Sequence, residues 1–283
     1  MKQYCDLHTH TIFSDGTLTP TELVGQAKAL GLGAVALTDH NTVLGLPEFL
    51  AAAEANQVRA VPGVEFSVDY LEQELHILAL YIDSKDYGAA MEIAEQLNRN
   101  KQKSNIALIE ALRKDGYDLS YEKIKAAMPA GEPNRALIAA ELTRLGYTAS
   151  NREAFDRLLS PKHGYYRPPK RIDAFELIDF VRSIGAVAVW AHPFLHLKQE
   201  AQVRQFLPLA IDAGLRGMET LYPMYTPEQT ALAGALAKEY ALLPSGGSDF
   251  HGGNKPDIQL GSGRGSLAVP LSYCDALAEA AGK

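Results

Sequence analysis

Near its start the chain carries a run suited to holding a metal ion: Cys5-Asp6-Leu7-His8-Thr9-His10-Thr11-Ile12-Phe13-Ser14-Asp15-Gly16. Tyr4 to Leu7 is apolar enough for a short buried strand. His8 and His10, two residues apart in extended backbone, project to the same side, where two imidazoles can grip one ion. Ser14-Asp15-Gly16 reads as a turn whose carboxylate reaches back to the same place. A strand that ends in two imidazoles and a carboxylate is one wall of a metal site. The other walls should lie at the ends of other strands.

The apolar run from Ala34 to Thr38 ends in Asp39-His40-Asn41. Arg59 to Val64 ends in Glu65, Ala186 to Ala191 in His192-Pro193, and a strand near Leu242 to Ser245 runs into Gly246-Gly247-Ser248-Asp249-Phe250-His251. His76 lies inside the run Leu75 to Tyr81 and has to face inward at barrel depth. Each residue alone has a plain explanation: Asp15 as a turn former, Asp39 as a helix cap, Glu65 as a surface carboxylate. Their distribution argues for a site. Of the eight histidines, all but His163 and His196 fall at or in strands, and in parallel α/β folds the loops at the carboxyl ends of strands converge on one face. His163 and His196 are read as ordinary satisfied histidines. Imidazole and carboxylate without thiolate suit Zn, Mn or Fe. The set is too large for one ion, and a carboxylate such as Glu65 can bridge, so a cluster of roughly two or three ions is expected, spaced about 4 Å apart as in phosphoryl-transfer sites.

Positioning these residues is the task of alternating strands and helices. Thr19-Pro20-Thr21-Glu22 is a capping box with proline at the first helical position. It opens a helix to about Leu30, and Gly31 and Gly33 end it. A second helix covers about Pro47 to Asn56. The alternation predicts a mostly parallel sheet or barrel. Between Lys85 and Lys170 the pattern is helical only, with helices over Tyr87 to Lys114, Pro133 to Leu145 and Asn151 to Leu159. Residues 85–170 therefore read as a helical insertion in a barrel domain formed by 1–84 and 171–283, since one crossover rarely needs so much chain. Alternation resumes with a helix start at Asp173-Ala174-Phe175-Glu176, a helix within Gln199 to Ala213, a strand around Gly217 to Thr220, and a second capping box at Thr226-Pro227-Glu228-Gln229.

The composition narrows the classes. The 283 residues carry a net charge of −7, which works against a broad basic surface for duplex nucleic acid. A small anionic ligand stays open, because metal ions reverse the local field. Cys5 and Cys274 make no disulfide framework, and Cys5 reads as a small core residue. No segment is long enough to span a membrane. Asp6 and two histidines precede any apolar stretch of signal-peptide length. The chain reads as soluble and cytoplasmic.

Together, His8-x-His10, Thr38-Asp39-His40-Asn41, Gly63-Val64-Glu65, Ala191-His192-Pro193 and Gly247-Ser248-Asp249-Phe250-His251 resemble the polymerase-and-histidinol-phosphatase (PHP) family. The nearest likeness is to its branch of metal-dependent phosphoesterases, which includes nucleoside 3′,5′-bisphosphate phosphatases and a 5′–3′ exoribonuclease. The resemblance implies a distorted (β/α)7 barrel with an inserted helical subdomain and a trinuclear site. It places His8, His10, Glu65 and Asp249 on a first ion, Glu65, His76 and His192 on a second, and Asp15, His40 and His251 on a third. Asp39 would support a neighbour by hydrogen bond.

The reaction expected is hydrolysis of a small phosphorylated metabolite or nucleotide phosphate ester by a metal-bridged hydroxide. Asp249, His192 and Asp15 would be catalytic, with Asp249 orienting the nucleophile. Asn134, Arg135 and Tyr166 would bind substrate. The branch's Arg-Thr-His run is Arg135-Ala136-Leu137 here, and Lys101 and Ser104 stand where arginines are expected. Pro169 replaces a common His, and no Arg follows Ala191-His192-Pro193. The substrate clamp is therefore expected to differ. Amidohydrolase-type C–N hydrolysis is the first alternative, but no predicted strand ends in the lysine such sites often employ. A non-catalytic metal-stabilised partner-binding domain is the second, and a purely structural site would need only four ligands.

Overall fold

A computed structural model describes residues 3–126 and 131–283. β1 (Tyr4–Asp6), β2 (Ala34–Leu37) and β3 (Arg59–Tyr70) pair in parallel. β4 (Gln73–Leu80) folds back on β3 and pairs antiparallel. β5 (Ile172–Asp173) adds a short parallel piece to the end of β3. β6 (Val187–Ala191) runs antiparallel to β4, and β7 (Gly217–Leu221) and β8 (Leu243–Gly246) continue in parallel from it. β9 (Val269–Pro270) pairs antiparallel with β1.

Beyond its last paired residue, β1 is stitched to the end of β8 and the segment that follows it. Leu7 N donates to Gly246 O at 3.2 Å, Asp249 N to His8 O at 2.9 Å and His10 N to Phe250 O at 2.9 Å. The sheet is thus a nearly closed barrel in an α/β chain. Gly247 makes the closure possible, because a Cβ there would lie 2.3 Å from His8 Cβ.

One expectation is corrected. β3 does not stop before Glu65 but runs on to Tyr70, so Glu65 sits mid-strand. The sheet is mostly parallel, as expected, with β4 reversed between β3 and β6. The reversal uses a two-residue turn in which Leu71 and Glu72 both have positive φ, 51° and 63°, the geometry that suits the twist of a hairpin.

The helices follow from their caps and apolar faces. α1 (Pro20–Ala29) has the full capping box of Thr19 and Glu22, and α2 (Leu46–Asn56) packs beside it. α3 (Tyr87–Lys114) buries Ala90, Ala94 and Leu97 in its first half, in the main core, and Leu108, Ile109 and Leu112 in its second half, in a separate cluster. That cluster also takes α4 (Tyr121–Ala126), α5 (Arg135–Arg144), and α6 (Asn151–Ala154) with its π-helical continuation Phe155–Leu159. α7 (Ala174–Ser183), α8 (Pro193–His196), α9 (Glu200–Ala213) and α10 (Pro227–Glu239) return to the barrel. α11 (Leu271–Ala280) packs Cys274, Leu277 and Ala278 with Cys5, Leu78, Leu80 and Val189.

Strand alternation sorts the rest. On β6, Ala188 and Trp190 join the main core while Val187, Val189 and Ala191 join the α11 cluster. By the same period, Glu65 shares a face with Val61, and His76 with Leu78 and Leu80. Two charged or polar groups are thereby carried into the barrel above its apolar floor. Among the described residues no helix is long and apolar enough to cross a membrane.

Candidate metal centre and active-site cavity

Glu65 is fully buried and is the hub of the cluster. Its Oε2 lies 3.2 Å from His8 Nε2, 3.3 Å from His10 Nε2 and 2.9 Å from His40 Nδ1. Its Oε1 lies 2.7 Å from His76 Nδ1 and 3.0 Å from His192 Nε2. Asp249 Oδ1 is 3.3 Å from His10 Nε2 and 3.7 Å from His8 Nε2. Asp15 Oδ1 is 3.1 Å from His251 Nε2 and 3.9 Å from His40 Nε2. Every ligand candidate named from the sequence is therefore brought to one end of the barrel.

The donors fit metal ions better than they fit each other. Glu65 Oε2 has three imidazole nitrogens close by yet makes no hydrogen bond, and His40 Nδ1 and His192 Nδ1 are also buried without partners. His8 Nε2 and His10 Nε2 face one another at 3.1 Å. His8 Nδ1 already faces Glu219 Oε1 at 3.0 Å, which fixes the tautomer and leaves the Nε2 lone pair pointing at the cluster. Ligands about 2.0–2.1 Å from a tetrahedral ion sit roughly 3.3 Å from one another, close to these separations. An ion between the bare nitrogens and the carboxylates removes the mismatch.

Without an ion, protons take that place. Burial opposes a charged His8, but Glu65 and Glu219 outweigh it and raise its pKa well above the usual value. Burial likewise opposes His10, yet the nearby Asp249 and Glu65 carboxylates carry it to about 9. His76 reaches about 9 against burial through the Glu65 charge. His40 goes the other way: burial dominates and pushes it down to about 4. Glu65 and Asp249 are held well below the carboxylate range despite burial, Glu65 chiefly by His40 and His8, Asp249 chiefly by Lys255 and His251.

A ring of buried polar residues fixes the cluster. Glu219 on β7 accepts from His8 Nδ1 and, through Oε2, from His192 N at 2.7 Å. Asp249 Oδ2 accepts from Tyr222 at 2.8 Å and from Lys255 at 2.7 Å, which leaves Oδ1 for the cluster. Asp39 accepts from Thr11 N at 2.7 Å, Thr11 Oγ1 at 2.5 Å and Ser14 Oγ at 2.6 Å, so it pins the loop that carries Asp15. Asp6 accepts from Ser248 N at 2.9 Å and Ser248 Oγ at 2.5 Å, next to Asp249. His192 and Asp249 both have left-handed backbone, φ 30° and 54°, a conformation costing about 1–3 kcal/mol in a non-glycine residue.

Glu219, Tyr222 and Lys255 were not anticipated. Glu219 had a signal, since a carboxylate inside an apolar strand is costly unless it is used. Lys255 sits in an irregular loop and had none. His196 requires a correction. It is not a detached, satisfied histidine: its ring lies 4.9 Å from His76 and 5.4 Å from His192, and its Nε2 is buried and unpartnered. His163 stays outside the cluster.

The helical layer reaches the same place. Asn134 caps α5, accepting from Leu137 N at 3.0 Å, while its Nδ2 donates to Asp15 Oδ2 at 2.6 Å. Arg135 lays its guanidinium 4.3 Å above the Tyr166 ring, and its Nη2 is 4.0 Å from Glu74 Oε2. Arg171 holds the same carboxylate oxygen at 2.7 Å. Arg135, Tyr166, Asn134 and Lys101 line a cavity of about 260 Å³ together with His40 and His76. Burial lowers the Lys101 pKa. A second cavity, about 430 Å³, opens on the other side of Asp15 between Lys123, Leu137 and Asn254. The smaller one contains the imidazoles and is the one relevant to chemistry.

Comparison with known proteins agrees with this geometry. The PHP domain model matches residues 6–163. A 5′–3′ exoribonuclease of Haemophilus influenzae is 32% identical over 250 residues, spanning 88% of this chain and 90% of that protein. A 3′,5′-nucleoside bisphosphate phosphatase of Chromobacterium violaceum is 27% identical over 254 residues, 87% of this chain and 86% of that protein. A solved chain from Bifidobacterium adolescentis, which carries the name of a metal-dependent phosphoesterase, superposes with a TM-score of 0.83 at 29% identity, over 98% of this chain and 96% of that one.

Proposed function

We propose that this chain, which belongs to the PHP domain family and hydrolyses phosphate esters with bound metal ions, carries out that reaction at the Glu65 cluster. The carrying observation is Glu65 itself, a buried carboxylate with imidazoles against both oxygens and no hydrogen bond at Oε2. His8, His10, Glu65 and Asp249 would hold a first ion, Glu65, His76 and His192 a second, and Asp15, His40 and His251 a third. Mn, Zn or Fe suits that donor set. Such ions supply Lewis-acid polarisation of the phosphoryl group and of the attacking water.

The chain's own residues do the rest. Asp249, with Oδ2 tied by Tyr222 and Lys255, presents a fixed Oδ1 that orients the attacking water. Asp15 is steadied by Asn134, and His192 by Glu219, so both stay in place as charge moves. The described residues of the helical insertion, 85–126 and 131–170, cap the cluster. Arg135, stacked on Tyr166, binds an anionic group remote from the attacked bond.

The substrate class is a small phosphorylated metabolite or a nucleotide. The Haemophilus relative is named for RNA, so the class includes a terminal nucleotide of a single strand. A net charge of −7 weighs against duplexes. The test is a panel of phosphorylated metabolites, nucleotides and short single-stranded RNA offered to Mn-loaded protein, with Asp249→Asn as control. Phosphate or nucleotide release by the wild type and not by the variant is expected. Equal release by both removes Asp249 from the reaction.

A further inference from the structure

In His192-Pro193-Phe194-Leu195-His196 one histidine is the N-cap of α8 and the other is its last residue. Here the left-handed backbone at His192 swings the chain from β6 directly into the helix. His76 comes to the same spot from the reversed strand β4. The three rings form a triangle, with centroids 4.9 Å (His76–His196), 5.2 Å (His76–His192) and 5.4 Å (His192–His196) apart. One ring nitrogen of each lies within 4.8 Å of the other two.

Packing alone does not explain the arrangement. A buried imidazole nitrogen ordinarily finds a hydrogen-bond partner. His196 Nε2 and His192 Nδ1 are both buried and have none. An unpartnered buried nitrogen on a ring packed beside two other imidazoles is what a cation needs and what a hydrocarbon core avoids.

We propose that His196 is a metal ligand of this chain, completing with His76 and His192 a three-imidazole subsite for a nitrogen-preferring ion such as Zn²⁺. The proposal rests on the reading that the Glu65 cluster binds ions. Imidazole favours Zn over Mg or Mn, whereas carboxylate oxygens favour the latter. A subsite of three imidazoles therefore retains Zn²⁺ in competition with Mn²⁺.

The test uses the full-length protein stripped with chelator, as wild type, His196→Ala, His196→Gln and His192→Ala, each checked for folding by circular dichroism. Zn²⁺ alone is titrated against a chromophoric chelator, bound metal is counted by elemental analysis, and Co²⁺ absorption reports on the ligand field. Wild type should retain one more tightly held Zn²⁺ than His196→Ala. The affinity of that ion should fall by at least about tenfold to hundredfold, the loss seen even for residues that only support a ligand. The Co²⁺ bands should shift in both His196 variants. Equal stoichiometry, affinity and Co²⁺ spectra in wild type and His196→Ala, with an ion lost in His192→Ala, would overturn the proposal and leave the cluster intact. If His196→Gln matched wild type in affinity and spectrum, the role would be packing and the proposal would fall. A wild type that bound no Zn²⁺, Mn²⁺ or Co²⁺ would overturn the cluster reading itself.

Discussion

Two walls face each other across the small cavity, and they are built differently. The barrel wall is set by strand register. Ser67 opposes His76 and His76 opposes Ala191, and nearly every functional side chain there has a second buried partner, such as Glu219 for His8 or Tyr222 for Asp249. The helical wall has its own apolar cluster around Leu108, Ile138 and Leu158. It reaches the cavity through few groups, chiefly Asn134, Arg135 and Tyr166. The Arg135 side chain is 30% exposed and is held by stacking on Tyr166 and a marginal contact with Glu74. A register-locked wall can keep donor atoms within tenths of an ångström. A wall with a separate core can change its contacts without moving those donors. In the proposed function the first does chemistry and the second recognition.

If that division is right, damage to the barrel wall should be the more severe. Chelation should abolish phosphate release, and Asp249→Asn or His192→Ala should lower turnover by on the order of 10²–10⁴, the range for removal of a positioned catalytic group. Circular dichroism should stay unchanged, because residues at strand ends serve chemistry more than stability. Wild-type turnover in either variant at equal metal loading would exclude that residue.

The pH dependence of metal binding separates the walls next. His10 and His76 stand at about 9 in the ion-free protein, so at pH 7 each carries a proton that an incoming ion must displace. Affinity should rise from pH 7 to about 9, by about tenfold per pH unit for each proton displaced. His40, pushed down to about 4, is already neutral and contributes nothing in this window. Calorimetry in two buffers of different ionisation enthalpy should detect the released protons. An enthalpy independent of buffer would contradict this sign. Arg135→Ala should leave the proton count unchanged.

A smaller effect is expected one layer back. Glu219→Gln keeps the size of the side chain but loses the charge that His8 Nδ1 and His192 N meet. Metal affinity should fall about 10–100-fold, as for other supports of ligating histidines. Unchanged affinity by chelator competition would reduce Glu219 to a packing role.

Much of the barrel wall could be read from the sequence, because parallel strands deliver their ends to one face whatever the loops do. His8, His10, His40, His192, Asp249 and His251 were placed by that rule alone. The reversal of β4 was not legible: Leu71-Glu72 lacks the Asn-Gly or Gly signal of a tight hairpin. The true length of β3 was present as alternation in Glu65-Phe66-Ser67-Val68-Asp69-Tyr70, but treating Glu65 as a strand end hid it. His196 ends no strand, and it reaches the cluster only because the left-handed backbone at His192 turns the chain into α8. On the helical side, Tyr87–Lys114 matches its periodicity, and in the barrel domain both capping boxes formed, on α1 and α10. The approach of Arg135 to Tyr166 and Glu74 depends on tertiary packing that no local pattern encodes.

The smallest effect should come from the helical wall, and it is the one that tells recognition from chemistry. Arg135 opens α5, whose first turn offers free N–H groups and a partial positive charge. Stacking on Tyr166 limits the conformations the guanidinium must give up on binding. Against this, Glu74 lies at 4.0 Å and competes for the guanidinium, although Arg171 holds that carboxylate more closely at 2.7 Å. A charge-assisted contact contributes about 1.5–3 kcal/mol, and partial exposure with a competing carboxylate argues for the lower end, about tenfold in binding. Arg135→Ala should therefore raise KM about tenfold for a substrate with a second anionic group and leave kcat nearly unchanged. An aryl phosphate, with no second anion to hold, should lose little. Equal losses on both substrates would place Arg135 on the reacting phosphate or in folding, and the helical wall would then share in the chemistry assigned to the barrel.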